Sequence, residues 1–175
     1  MRNNVKIGLV LLICFMFKAG GNCYAQKFSK HEIKAAYVHN FIKFVQWPED
    51  KTQIRLGIIG RNEFTNILKY KLLNQKIGKY AVKITHYSNT NIINNCDVLF
   101  VADDELIDCG LILSKLKGKS ILSIGETTSF FNNNGMIYLE ERAGGNYAFL
   151  INNSNAIEEK IIISSKLLKL AFKIK

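Results

Sequence analysis

The sequence predicts an α/β protein, a Rossmann-like three-layer sandwich whose mostly parallel sheet ends in a C-terminal β-hairpin and a closing helix. Three observations predict it. Runs such as LGII, VLFV and ILSI are apolar on both faces, as strands are when helices cover a sheet from each side. Helical periodicity separates those runs, which is the spacing of right-handed crossovers between parallel strands. Beyond residue 135 the pattern changes: residues 136–141 and 147–152 flank Arg142-Ala143-Gly144-Gly145-Asn146, a turn composition that joins two strands as a hairpin.

Residues 1–25 read as an export signal. Arg2 and Lys6 give a positive start, residues 7–17 form an apolar run too short to stay as a bilayer span, and Cys23-Tyr24-Ala25 resembles a small-residue cleavage site before Gln26. Asn22 ahead of Cys23 speaks against a lipidated cysteine. Residues 26–175 are then one exported domain, since no linker, repeat or low-complexity tract divides them.

The first helix is expected over residues 31–47. Ile33, Ala36, Tyr37, Asn40, Phe41 and Phe44 recur at helical spacing, with Lys34 and Lys43 off that stripe. Ser29 and Glu32 form a capping box, and Pro48 stops the helix, with Trp47-Pro48 anchoring the turn into the sheet. His39 in this setting is a packed neighbour with satisfied ring nitrogens rather than a base. Strands follow at 54–59, 80–87, 98–102 and 120–124, and helices at 63–73, 90–95 and 105–115. The tail, 164–175, puts Leu167, Leu168, Ala171 and Ile174 on one helical face and Lys166, Lys169 and Lys173 on another.

The chain carries a formal charge of +10, of which Arg2, Lys6 and Lys18 belong to the leader, so +7 remains on the domain. Its cations are scattered, without the cluster or the aromatic interleaving of a nucleic-acid groove; the balance suits an acidic partner or an anionic membrane surface. Cys96 and Cys109 remain after the leader is removed. They stand at opposite ends of one predicted strand, beyond bridging reach, which predicts two buried or half-buried thiols and no disulfide.

The candidate chemistry is sparse. Gly57-Ile58-Ile59-Gly60-Arg61-Asn62 is not G-x-G-x-x-G and no Walker lysine follows, so Gly60 makes a turn and Asn62 caps a helix. Asp103, Asp104 and Glu105 are read as helix-capping acids rather than Mg²⁺ ligands. Glu126, followed by Thr127, Thr128 and Ser129, faces the same strand ends; with Gly60 and Asp103 it outlines a possible small-ligand pocket. His31, His39 and His86 have no nucleophile elbow to serve, so no catalytic residue, cofactor or metal is assigned.

Lys34-Ala35-Ala36-Tyr37, Asn40-Phe41, Lys43-Phe44-Val45 and Trp47-Pro48 resemble the opening signature of the YfiR family of periplasmic α/β proteins. Cys96 to Val101 resembles its middle strand. Gly135-Met136-Ile137, Phe149, Ile151-Asn152, Ala156 and the run from Ile163 through Ser164 and Ser165 to Ala171 resemble its closing block. The resemblance covers residues 30–172. It implies a non-enzymatic negative regulator that dimerises and holds the periplasmic sensor part of a membrane diguanylate cyclase inactive, lowering cyclic di-GMP and restraining biofilm; some relatives serve sensor kinases instead. The family's Phe-Glu-Ile-Asn stands here as Phe149-Leu150-Ile151-Asn152. The expected partner surface is the hairpin and closing helix, including Arg142, Tyr147, Phe149 and Lys166. Two other readings stay open: a periplasmic small-molecule binder using Gly60, Asp103 and Glu126, and a hydrolase using Asp104, Glu126 or His39.

Overall fold

A computed structural model describes residues 28–47, 51–88, 93 and 95–175. The expected leader, Pro48 and most of the expected 90–95 helix lie outside these residues. Helix α1 spans Lys30–Lys43, opened by the predicted box: Ser29 Oγ accepts from Glu32 N and the Glu32 carboxylate accepts from Ser29 N. It ends at Phe44, earlier than expected, because Val45–Gln46 leaves the helix as β1 and pairs antiparallel with β9, Ile162–Ile163.

Strand β2, Gln53–Ile59, feeds α2, Glu63–Leu72, and then β3, Lys76–Ile77, and β4, Tyr80–Tyr87. Strand β5, Val98–Val101, follows, then α3, Cys109–Leu116, and β6, Leu122–Gly125. After α4, Thr128–Asn132, strand β7, Ile137–Arg142, turns through Ala143–Gly145 into β8, Asn146–Ile151. The chain closes with α5, Asn153–Glu158, then β9, α6, Ser165–Leu170, and β10, Lys173–Ile174.

The sheet runs β10-β8-β7-β6-β5-β2-β4-β3; the β3/β4 and β7/β8 pairs are antiparallel and the rest parallel. Alternation along the central strands splits the core in two. Leu56, Ile58, Val98 and Phe100 face α1 and α2. Ile59, Leu99 and Val101 face α3. A continuous apolar strand is what double coverage requires.

Three sequence expectations are corrected. On α1 the buried face is Lys34, Ala35, Val38, Phe41 and Ile42, whereas Ile33, Ala36 and Asn40 face outward. The helix expected from 105 begins at Cys109, because Asp104 Oδ1 accepts from Leu106 N and closes a separate turn, leaving Asp108 as the cap that accepts from Leu111 N. The closing helix is only six residues long. Ala171 leaves it with extended backbone, and β10 joins β8 as a parallel edge strand, held by Phe172 N to Phe149 O at 2.9 Å.

Candidate functional site

From β2 the chain crosses to β4 on one side and then to β5 on the other, so the loops after β2 and β5 part at the point where doubly wound folds open a crevice. A cavity of about 270 Å³ lies there, lined by His31, Lys34, Asn62, Glu63, Asp103, Glu126 and Glu141, with Phe64 and Leu139 as its apolar wall. Asn62 is fixed as N-cap of α2, its Oδ1 accepting from Thr65 N at 3.0 Å. That leaves its Nδ2 to donate to Glu126 Oε2 at 2.9 Å, beside the Asp103 backbone N–H, also at 2.9 Å. Glu126 Oε1 has no hydrogen bond and instead meets the Lys34 ammonium in an ion pair. Side-chain exposure is 3% for Glu126 and 11% for Lys34, whose ammonium also stands 4.5 Å over the Phe64 ring.

Burial pushes the Lys34 amine down to about 8, opposed by the Glu141 and Asp103 carboxylates. The ion pair with Glu126 acts in the same sense as those acids. A buried ammonium and carboxylate each need the other, because either alone in this setting costs several kcal/mol, on the order of 3–5.

Of the expected pocket residues, Asp103 and Glu126 meet at the crevice and Gly60 does not line it. Gly60 has φ +87°, and a Cβ there would come within 3.0 Å of both Ala102 and Ile107, so this glycine closes the loop packing. Its carbonyl instead meets His86 Nε2 at 2.8 Å. Asp104 holds the Leu106 and Arg61 N–H groups, bonds that lower its pKa, and His39 borders a separate apolar groove with Ile33 and Leu72. Asp104, Glu126 and His39 therefore do not converge. Among the described residues no group of three or more His, Cys, Asp or Glu is placed to hold a metal ion.

The second candidate region is the hairpin with the chain end. The Arg142 guanidinium lies 3.8 Å over the exposed Phe172 ring and its Nε donates to Glu140. Tyr147, half-buried, pairs across from Glu141 and its carbonyl accepts from Tyr37 Oη at 3.4 Å. Lys166 is exposed on α6. Phe149 is corrected from contact to core: 5% exposed, it packs edge-on against Phe41 with centroids 5.1 Å apart. Leu170, Phe172 and Ile174, which a single helix over 164–175 does not mark as surface, are 70%, 65% and 49% exposed.

The remaining signature residues divide between core, caps and surface. Phe41 is fully buried, Tyr37 and Phe44 pack against the core, and Asn40 is exposed. Trp47 Nε1 donates to Asp97 O at 3.3 Å, Ser164 Oγ caps α6 through Leu167 N, and Ser165 is exposed. Cys96 and Cys109 are both buried and free. Lys34, which the sequence reading places off the packed stripe of α1, lines the crevice; Lys34, Val38, Phe41 and Ile42 also follow helical spacing, and a lysine on an apolar face implies a buried anion.

These features define a mixed α/β protein on a mostly parallel, eight-stranded sheet. The chain belongs to the family described as DUF4154, YfiR/HmsC-like, whose model matches residues 31–172; the family is one of periplasmic regulators and is regulatory rather than catalytic. Two solved structures share the fold. A conserved domain protein from Vibrio cholerae O1 biovar eltor superposes with a TM-score of 0.61 at 12% identity over 85% of this chain and 61% of that one. An ABC domain in complex with L-Trp from Streptococcus pneumonia gives 0.58 at 16% identity over 81% and 60%. The chain thus spans about three fifths of the length of each. No protein of curated function matches the sequence.

Proposed function

We propose that this protein is an exported regulator that binds the periplasmic part of a membrane signalling protein and holds it inactive, the partner being a diguanylate cyclase by family resemblance and the output cyclic di-GMP and biofilm. The family match over residues 31–172 carries this reading. A soluble repressor shifts a two-state sensor only by binding one state better than the other, so its surface chemistry decides the effect. Arg142, Tyr147 and Lys166 belong to the contact surface, together with Lys169, Lys173 and the exposed Leu170 and Phe172; basic groups around apolar ones suit an acidic, partly apolar partner face. Phe149 holds that surface from beneath. The protein acts as a homodimer.

Crosslinking the mature protein in its own cells and identifying the captured membrane protein tests the reading. Recovery of a cyclase or sensor kinase, with capture lowered at least tenfold by R142E/K166E, is the expected result. Unchanged capture by that variant removes the surface, and recovery of no membrane protein removes the function. The crevice lined by Lys34, Asp103 and Glu126 motivates a second reading, a small-molecule-binding accessory of a sensor kinase or other membrane system. A ligand-dependent melting shift without any captured membrane partner would favour it.

A further inference from the structure

We infer that the crevice beyond the carboxyl ends of β2, β5 and β6 is a carboxylate-binding site that the chain occupies with its own Glu126. The geometry is that of a bound ligand. Glu126 Oε2 accepts from the Asp103 backbone N–H and from Asn62 Nδ2, both at 2.9 Å, and Oε1 meets the Lys34 ammonium. The donors arrive from three separate elements: the loop after β5, the cap of α2 and the buried face of α1. A backbone N–H, an amide and an ammonium converging on one point make an anion cradle, and it lies where a doubly wound fold receives its ligand.

The surroundings make the occupancy exclusive. Asp103, Glu63 and Glu141 also line the cavity and disfavour a second anion beside Glu126, although Glu63 and Glu141 are exposed and face His31 at 3.6 Å and Lys30 at 3.5 Å. An external carboxylate can therefore enter in place of Glu126 and not alongside it. The side chain acts as a resident ligand that binds α1 to the sheet and closes the crevice to small anions. This inference stands apart from the proposed partner binding, because it concerns the opposite use of the molecule: a ligand site kept full, leaving the surface to act.

Truncation of Glu126 to alanine removes a fragment with the atoms of acetate. Melting of the wild type, Glu126→Ala and Lys34→Met/Glu126→Ala should be followed by circular dichroism in sodium acetate and in sodium chloride of equal ionic strength at neutral pH. A ligand that binds only the folded state raises the melting temperature. The expected result is that Glu126→Ala melts lower than the wild type in chloride and recovers more than half of that loss in acetate. The wild type should be unmoved by acetate, and the double variant should show no recovery. Equal melting of Glu126→Ala in the two salts overturns the inference, and so does recovery that survives Lys34→Met. If Glu126→Ala does not fold in chloride, its refolded fraction is compared in the two salts: restoration by acetate supports the cradle, and failure in both overturns it.

Discussion

At the residue scale, Asp97 is a heavily bonded side chain. Its carboxylate, 3% exposed, accepts from the Arg55 backbone N–H at 2.8 Å, from Arg55 Nε at 3.0 Å and Nη2 at 2.8 Å, and from Lys51 Nζ at 2.7 Å. Burial pushes its pKa up, but the hydrogen bonds from Arg55 and Lys51 outweigh it and bring the group down to about 2. A depressed carboxyl stabilises the fold fully above its unfolded value near 4, and that contribution, about 2 kcal/mol, is lost as pH falls toward 2. Asp97→Asn should therefore cost at least that much at neutral pH and flatten the acid limb between about pH 4 and 2 in urea titrations. The neighbouring Cys96 behaves oppositely: burial pushes its thiol up to about 11, and burial also raises Cys109. Because the thiolate is the nucleophile, both should react with a thiol reagent at pH 8 only as the protein unfolds, which a reagent titration with and without denaturant measures.

At the element scale, packing at the end of β6 rests on two glycines. The fully buried Phe130 ring lies on the backbone of Gly125 and Gly135, where an added Cβ would fall 2.3 Å and 2.0 Å from ring atoms. Neither contact has room to give, since the ring is enclosed by the α3 side of the core. Gly135→Ala should destabilise by about 1–3 kcal/mol through overpacking. Combined with Phe130→Ala, it should cost less than the sum of the two single changes by more than about 0.5 kcal/mol, as chemical denaturation would show. The capping box of α1 makes a smaller, local contribution: Ser29→Ala should cost about 1 kcal/mol, because the Glu32 N–H loses its acceptor at the helix start.

At the scale of the whole molecule, the crevice and the proposed contact surface adjoin: Glu141 lines the cavity where Lys34 meets Glu126, and the next residue, Arg142, lies over Phe172, with Lys166, Lys169, Leu170 and Lys173 exposed on the closing segment. Short edge strands bearing lysine, β3 with Lys76 and β10 with Lys173, blunt the sheet against edge-to-edge growth. Capture of an acidic partner by such a surface should weaken as salt rises, with the change falling mainly on the association rate. Surface-plasmon measurement of the purified pair across ionic strength checks this; a salt-independent association rate would place the contact elsewhere.

Sequence by itself determined the α/β class, the order of the central strands along the chain and the start of α1, because these follow from periodicity and from capping residues within a few positions of one another. It also separated the cysteines, since one strand's length does that. Tertiary structure decided which face of α1 turns inward, where Lys34 finds Glu126 across 92 positions of sequence, and that Lys173–Ile174 leaves the helix to extend the sheet. Each of those depends on a partner distant in sequence: a buried charge is tolerable only against its counter-ion, and a tail with apolar alternation takes strand or helix according to whether an unpaired edge such as β8 is within reach.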